Sequence, residues 1–276
     1  MAAKFYTHKI QYFSINQNGK DYVIGDIHGR YDLVYEALAK ANFNEHTDRL
    51  FCVGDLIDRG IYSDHVAEFL SKPYVHAVRG NHEDILLNLY QYGNPSEDRI
   101  AYIGQQIGLT WWLHIDETTR QSILTALRKL PLVIEIETIR GTVGLVHADI
   151  DTHLTWQQFI DAVENENHDV IQEALWGRKR LSNNINKVIP GIGRVYVGHT
   201  VQDKIKQLGN VVAIDTGAVF NRHLTMANII AQTQVICNAP TPNPNDKIQI
   251  LQPLGIDLEP FGTTTGLLFN SNHKIR

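Results

Sequence analysis

The sequence has little cysteine and no long apolar run. Only Cys52 and Cys237 occur among its 276 residues, which excludes a disulfide-rich scaffold and a zinc site built from thiolates alone. A membrane-spanning helix needs about 18 or more apolar residues in a row, and no run in this chain approaches that length. Residues 1–11 lack the apolar stretch of a secretory signal. We therefore expect a soluble, cytoplasmic protein with reduced thiols that does not contact membranes.

The chain also lacks an excess of positive charge. Its 25 lysines and arginines are outnumbered by 30 acidic residues, and the net charge is −5. Nucleic-acid binders that act through bulk charge are usually strongly basic, so the composition gives no strong nucleic-acid signal. Aliphatic, aromatic and cysteine residues form 43% of the chain. That fraction can build a sizeable core and excludes disorder of the whole chain.

Short apolar strands alternate with helical patterns along the chain. The predicted strands cover residues 22–24, 50–53, 74–78, 132–136, 143–146, 194–197, 211–214 and 225–231. Each of the first three is followed by apolar residues at helical spacing, and residues 97–130 are predicted to be largely helical. This alternation predicts the α/β class, with parallel βαβ units and helices on both faces of a sheet.

The two ends of the chain differ from its middle. Residues 9–15 alternate in polarity, and an Asn-Gly turn at 16–19 leads into residues 21–24, which predicts an opening β-hairpin. Residues 239–276 hold five of the nine prolines. They are predicted to form an extended, Pro-rich C-terminal tail with an edge strand over 247–251. One domain over residues 1–238 is therefore expected.

Polar clusters follow five of the predicted strands. They are Gly25-Asp26-Ile27-His28-Gly29, Gly54-Asp55-Leu56-Ile57-Asp58-Arg59-Gly60, Gly80-Asn81-His82-Glu83, His147 and His199. Ligands of open α/β sheets bind at the carboxyl ends of strands, so these clusters are expected to converge. Asp, His and Asn side chains suit divalent Mn, Fe or Zn better than calcium.

The number of candidate ligands is too large for one metal ion and fits two. We expect Asp26 and His28 to hold the first metal, Asn81, His147 and His199 to hold the second, and Asp55 to bridge both. Paired metals about 3.5–4 Å apart lower the pKa of a bridging water and act on phosphate esters. Turn chemistry is the competing explanation, because Asp and Asn are common after strands. It accounts for two such residues more easily than for six.

Three of these clusters occur as motif blocks in a fixed order. They read Gly-Asp-x-His-Gly, Gly-Asp-x-x-Asp-Arg-Gly and Gly-Asn-His-Glu. Together they resemble the phosphoprotein phosphatase family of calcineurin-like metallophosphoesterases, over about residues 20–232. The resemblance implies a catalytic domain over residues 1–238 built as a central two-sheet β-sandwich flanked by helices. It also implies the same six ligands, two divalent ions (Mn²⁺ first, Fe or Zn as alternatives), and attack on phosphorus by a metal-bridging hydroxide.

The same resemblance gives roles to residues beside the ligands. His82 resembles the general acid that protonates the leaving oxygen, and Asp58 resembles its carboxylate partner, which is expected to raise the pKa of His82. Arg59 and Arg178 resemble phosphate-binding arginines, whose planar guanidinium groups match phosphate oxygens. Arg180 is an alternative for the second arginine because it lies two residues after Arg178.

The expected function is that of a metal-dependent phosphomonoesterase. His147 is followed by Ala148-Asp149 where the eukaryotic branch has two glycines, which points to the bacterial and phage serine/threonine protein phosphatases. The substrate would be a phosphoprotein or phosphopeptide, with phosphotyrosine included if the enzyme has dual specificity.

Two rival functions and one motif stay open. A symmetrical diadenosine tetraphosphatase or another nucleotide phosphoesterase is the first rival, although Asp58, Ile61 and Glu83 depart from the motifs of that tetraphosphatase. A non-catalytic scaffold is the second, and the complete ligand set argues against it. The Trp111-Trp112 pair is either substrate-facing or, as we favour, part of the packing.

Overall fold

Two mixed β-sheets lie face to face in the computed structural model, which describes residues 9–239. In chain order the strands are β1 (Ile10–Phe13), β2 (Asp21–Ile24), β3 (Arg49–Cys52), β4 (Val75–Ala77), β5 (Val133–Thr138), β6 (Gly141–Val146), β7 (Arg194–Val197), β8 (Lys206–Leu208), β9 (Val211–Ala213), β10 (His223–Asn228) and β11 (Gln234–Asn238). One sheet has the order β11-β10-β2-β3-β4, and the other has the order β1-β5-β6-β7-β9-β8. The α/β class is confirmed.

Alternation of side chains along the strands produces the layers. Val23 and Phe51 of the five-stranded sheet meet Ile134 and Leu145 of the six-stranded sheet in one buried cluster. The neighbouring Ile24 belongs to a second cluster, on the opposite face, under the helices. The strands are apolar on both faces because both faces are covered. The molecule is thus the helix-flanked β-sandwich that the family resemblance implies.

Helices cover the outer faces of both sheets. They are α1 (Tyr31–Lys40), α2 (Val66–Leu70), α3 (Asn81–Leu89), α4 (Glu97–Ile107), α5 (Glu117–Leu127), α6 (Trp156–Glu164), α7 (His168–Trp176) and α8 (Lys179–Ser182). Helices α1 to α5 share a buried cluster with the five-stranded sheet, and α6 to α8 share one with the six-stranded sheet. The predicted helical region at 97–130 is α4, a 3₁₀ turn over Thr110–His114, and α5. Within residues 9–239, no helix has the length and apolar character to cross a membrane.

The predicted opening hairpin is wrong. β1 pairs in parallel with β5, with Ile10 opposite Val133, whereas β2 pairs in parallel with β3 in the other sheet. β2 is buried along its whole length and takes a central position, while the half-exposed β1 suits a sheet edge. The turn itself exists, because Asn16 Oδ1 accepts from the amides of Asn18 and Gly19. It passes the chain from one sheet to the other instead of folding it back.

The remaining differences concern short elements near the edges. The sequence pattern does not predict β8 or β11, which have three and five residues and little apolar alternation. The strand predicted over 225–231 ends at Asn228. The edge strand predicted over 247–251 and nearly all of the predicted tail lie outside the described residues.

Candidate active site

The predicted site residues lie at one edge of the sandwich, where strands of both sheets end. From the five-stranded sheet come Asp26 and His28 after β2, Asp55, Asp58 and Arg59 after β3, and Asn81 and His82 after β4; from the six-stranded sheet come His147 after β6 and His199 after β7. The six predicted metal ligands are each at most 7% exposed. Burial of so many polar groups requires that they satisfy one another or a bound ion.

Backbone strain marks the same residues. Residues other than glycine seldom adopt a positive φ. Five of the predicted site residues have φ between 46° and 73°, namely His28, Asp55, Asp58, Arg59 and His199. Such strain persists only where the surrounding structure holds it, and it concentrates at functional sites.

Three potential ligand atoms surround Nε2 of His147. It lies 2.8 Å from Asn81 Oδ1, 3.2 Å from His199 Nδ1 and 3.4 Å from Asp55 Oδ1. The carbonyl of Val53 accepts from His147 Nδ1 at 2.8 Å, so the neutral ring carries its lone pair on Nε2. Burial lowers the pKa of His147 to about 4, which keeps the ring neutral. Four atoms that bind metals well therefore lie close together.

Asp55 faces both halves of the cluster. Its Oδ1 lies 3.4 Å from His147 Nε2, and its Oδ2 lies 3.4 Å from His28 Nε2. The carbonyl of Ile57 accepts from His28 Nδ1 at 2.8 Å, which leaves Nε2 as the ligand atom. His28, Asp55 and His82 form one compact group of potential ligands, and Asp55, His147 and His199 form another, so both groups contain Asp55. A carboxylate with one oxygen toward each group suits the predicted bridging role.

Asp26 enters the cluster beside His199. Its two oxygens accept from the His199 amide at 3.2 and 2.9 Å. Gly198 permits this approach, because a Cβ atom there would lie 2.0 Å from Asp26 Oδ1. Burial raises the pKa of Asp26 well above its usual range, and the carboxyls of Asp215 and Asp55 add to the shift. Neither compact ligand group includes Asp26, so its place on the first metal stays a prediction.

The electrostatics of the cluster favour bound cations. Burial raises the pKa of Asp55 to about 6 and lowers the pKa of His28 and of His199 well below the usual range. Neutral imidazole is the form that binds metal, and a cation stabilises the neighbouring carboxylates. His199 presents Nδ1 to the cluster, 2.9 Å from Asn81 Oδ1. These residues therefore fit divalent metal ions.

His82 and Asp58 form a buried pair beside the ligands. His82 Nδ1 lies 2.6 Å from Asp58 Oδ2, and the other oxygen of Asp58 accepts from Trp111 Nε1 at 2.8 Å. The expected direction of the pKa shift is wrong, because burial lowers the pKa of His82 well below its usual range and Arg59 and His28 add to that shift. Burial also raises the pKa of Asp58. The carboxyl therefore supplies less negative charge to the imidazole than an exposed one would.

Arg59 and Arg178 contact different residues of the cluster. Nη1 of Arg59 lies 2.5 Å from His28 Nε2. Arg178 is exposed, and its Nη1 donates to the carbonyl of His199 and to the hydroxyl of Thr200, both at 3.2 Å. Both guanidinium groups thus lie beside candidate ligands, with further N–H donors available for an oxyanion.

Arg180 is committed to a buried ion pair and does not suit the phosphate role. It is 1% exposed, and its Nε and backbone N donate to the two oxygens of Asp149 at 3.0 and 2.9 Å. Its Nη1 donates to the carbonyl of Lys187 at 2.7 Å. Asp149 lies two residues after His147, and Arg180 lies two residues after Arg178. The ion pair therefore ties together the chain segments that carry these two site residues.

Glu83 is a site residue that the sequence analysis uses only as a motif letter. It is fully buried, and its Oε1 accepts from the amides of Leu56 and Ile57 at 2.8 and 3.3 Å. Its Oε2 accepts from the amides of Asp55 and Gly80 at 3.0 and 2.7 Å. Burial raises its pKa to about 7, and Asp55 adds to the shift. The signal was its capping-box position at the start of α3.

Trp111 and Asp215 are further residues that the sequence analysis does not assign to the site. Trp112 has the packing role we favour, since it is fully buried and donates from Nε1 to Tyr90 Oη at 2.8 Å. Trp111 instead contacts Asp58, and nothing in the local sequence separates the two tryptophans. Asp215 follows β9 at the same edge, and burial raises its pKa to about 6. Its position directly after a predicted strand was the available signal.

Comparison with protein families matches a calcineurin-like phosphoesterase model to residues 22–203. Among curated proteins, serine/threonine-protein phosphatase 1 of Salmonella typhimurium is 31% identical over 212 residues. That match covers 75% of this chain and 91% of the relative. Residues 22–203, which the family model matches, contain the three motif blocks and both later histidines, His147 and His199.

Nucleotide hydrolases resemble the chain as well. The symmetrical bis(5'-nucleosyl)-tetraphosphatase of Yersinia pestis is 28% identical over 183 residues, which is 63% of this chain and 59% of the relative. Among solved structures, a protein assigned as a diadenosine tetraphosphatase has a TM-score of 0.61 and 20% identity, over 85% of this chain and 100% of that chain. At that identity the structural match supports the fold alone.

Proposed function

This chain belongs to the calcineurin-like phosphoesterase family, and we propose that it is a metal-dependent phosphatase of phosphoseryl and phosphothreonyl proteins. The observation that carries the proposal is that two compact groups of potential ligands share Asp55, and that His82, which belongs to the His28 group, is also paired with Asp58. The 31% identity to a serine/threonine-protein phosphatase supports this substrate class. We also propose that the enzyme acts on phosphoproteins or phosphopeptides in the cytoplasm and that its catalytic domain spans residues 1–238.

Six residues would hold two divalent ions, with Mn²⁺ preferred over Fe or Zn. They are Asp26 and His28 for the first ion, Asn81, His147 and His199 for the second, and Asp55 for both. When bound, the ions would lower the pKa of a water molecule and withdraw charge from the phosphate oxygens. The carbonyls that fix the tautomers of His28 and His147 would hold both rings ready for this task.

The two arginines would bind the phosphate group. Arg59 and Arg178 each present a planar set of N–H donors that suits two phosphate oxygens at once. To reach the phosphate, the Arg59 guanidinium would leave His28 Nε2. Their charges would favour the dianionic phosphate and hold phosphorus in line with the attacking water.

His82 would donate the proton that the leaving group needs. The bound phosphate dianion would favour the protonated imidazole and offset the effect of burial. As the water oxygen bonds to phosphorus and the bond to the seryl oxygen breaks, His82 Nε2 would transfer its proton to that oxygen. Asp58 would hold Nδ1–H at 2.6 Å and stabilise the ring in this orientation.

Hydrolysis of symmetrical dinucleoside tetraphosphates is the second candidate function. The similarity to the Yersinia pestis enzyme favours it, although the match covers only 59% of that relative. Against it, Glu83 stands where that family usually has the shorter aspartate, and here its length allows it to reach four backbone amides. We therefore rank the phosphomonoester first.

The test is phosphate release from a phosphoserine peptide and cleavage of diadenosine tetraphosphate, measured side by side. The protein is stripped with EDTA and assayed with and without Mn²⁺. We expect Mn²⁺ to restore peptide hydrolysis and His82→Asn to reduce it by about 10²–10⁴-fold. His153→Asn, at an exposed histidine, is the matched control and is expected to keep full activity. Cleavage of the dinucleotide alone would refute the proposed substrate class.

A further inference from the structure

The carboxylate of Asp58 is held at both oxygens by side chains. Oδ2 lies 2.6 Å from His82 Nδ1, and Oδ1 accepts from the indole Nε1 of Trp111 at 2.8 Å. Asp58 is fully buried, whereas Trp111 is half-buried in the 3₁₀ turn over Thr110–His114. Trp111, which lies 53 residues after Asp58 in the sequence, is therefore linked through Asp58 to the proton-donating His82.

The same segment also contacts Arg59, the residue after Asp58. The amide of Arg59 donates to the carbonyl of Gly108, which ends α4, at 3.0 Å. Gly108 has φ of 86°, and a Cβ atom there would lie 2.7 Å from Arg59 Cγ and 2.8 Å from Arg59 N. Asp58 and Arg59 themselves have φ of 73° and 69°. Two contacts from Gly108 and Trp111 thus hold two consecutive residues in a strained conformation.

We propose that Trp111 is a positioning residue whose indole N–H fixes the Asp58 carboxylate and, through it, the orientation of the His82 imidazole. This inference rests on the proposed function, in which His82 protonates the leaving oxygen. A carboxylate with one unpaired oxygen can rotate about its Cβ–Cγ bond, and His82 Nδ1–H then loses a fixed acceptor. With Oδ1 bound to Trp111, the rotation is blocked and Nε2 of His82 keeps one direction.

Two aryl phosphates separate positioning of the acid from general stability. Phenyl phosphate has a basic leaving group that needs a proton, whereas p-nitrophenyl phosphate has a weakly basic one that needs it much less. Trp111→Phe keeps an aromatic ring and removes the N–H. We expect it to lower kcat about tenfold more on phenyl phosphate than on p-nitrophenyl phosphate. Trp112→Phe is the matched control. Trp112 lies in the same turn as Trp111, but its indole N–H donates to Tyr90 and does not contact Asp58.

A second readout does not depend on turnover. In protein loaded with diamagnetic Zn²⁺, the ¹⁵N–¹H signal of His82 Nδ1–H is assigned by its absence in His82→Asn. We expect Trp111→Phe to shift this signal and speed its exchange with water, and Trp112→Phe to leave it unchanged. Equal losses of kcat on both substrates together with an unmoved signal would overturn the proposal. If the wild type releases no phosphate from the phosphoserine peptide but the signal still moves only in Trp111→Phe, the proposed function fails and the positioning role stands.

Discussion

The two sheets hold their halves of the site by different means. On the five-stranded side, the Glu83 carboxylate accepts four backbone N–H groups and so shapes the loop that carries Asp55. On the six-stranded side, the Asp149 carboxylate pairs with Arg180 and ties the His147 segment to the Arg178 segment. Loss of Glu83 should therefore weaken metal binding, whereas loss of the ion pair should displace Arg178 and leave metal binding intact.

Among the changes that compare the two halves of the site, Glu83→Gln should cause the largest loss. The amide keeps one acceptor oxygen, but its NH₂ group faces two backbone donors, and each buried unpaired donor costs about 1–3 kcal/mol. We expect kcat/KM on a phosphopeptide to fall about 100-fold because the loop no longer places Asp55 correctly. Calorimetric titration with Mn²⁺ should show weaker binding as well. Glu137→Gln, at an exposed glutamate, is the control. Unchanged Mn²⁺ affinity in Glu83→Gln would show that Glu83 does not support the metal site.

Arg178→Ala should have the next largest effect, and it should weaken phosphate binding without weakening metal binding. It removes hydrogen bonds to a charged phosphate, which are worth about 1.5–3 kcal/mol, and kcat/KM should therefore fall about tenfold or more. Mn²⁺ affinity should not change. Lys179→Ala removes a neighbouring exposed charge and should leave both quantities close to wild type. Equal losses in the two variants would mean that only the local net charge matters.

Asp149→Asn should act on stability more than on chemistry. It leaves the Arg180 guanidinium buried without its carboxylate, which costs about 3–5 kcal/mol of the free energy of unfolding. We expect KM to rise only a few-fold through displacement of Arg178, with Mn²⁺ affinity retained. The double variant Asp149→Asn/Arg180→Gln should recover part of the lost stability. Urea unfolding measures this, and a double variant no more stable than the single one contradicts the ion-pair account.

The smallest expected effect concerns the interface between the sheets. The His76 ring of β4 lies 4.5 Å from the Phe13 ring of β1 and 5.2 Å from the Phe51 ring of β3. Burial lowers the pKa of His76 to about 4, and Arg49 adds to the shift. Because this value lies below the unfolded pKa of about 6.5, stability should fall as the pH drops from about 6.5 toward 4.

His76→Gln should reduce that loss of stability by about 1 kcal/mol at pH 5, after allowance for partial exposure. Urea unfolding of both proteins at pH 7 and pH 5 measures the difference. The same pH dependence in wild type and variant would show that His76 does not contribute.

The ligand set could be predicted from sequence because its information is local. Asp26, His28, Asp55 and Asn81 each lie within four residues of the end of a short apolar strand, and parallel strands end at one edge. The supporting contacts are not local, since Trp111 meets Asp58 across 53 residues. No pattern within one segment could reveal such contacts.

The non-local origin of strand pairing and burial also explains why the opening hairpin was wrongly predicted and why Arg180 stayed open as a phosphate-binding residue. The turn after β1 was correctly located, but its strands pair with distant partners in different sheets. Likewise, sequence spacing favoured Arg178 but left Arg180 open as an alternative. The structure separates them because Arg180 is buried against Asp149, 31 residues away. Local propensity predicts elements, whereas pairing and burial decide their partners.

The most direct test of the central claim is an anomalous diffraction experiment on crystals grown with Mn²⁺. The account predicts two manganese peaks, one on the Oδ1 side of Asp55 near His147 and one on the Oδ2 side near His28. Asp55→Asn crystals prepared in the same way should show weaker occupancy of both. A single peak, or peaks that do not flank Asp55, would contradict the shared metal centre on which the proposed chemistry depends.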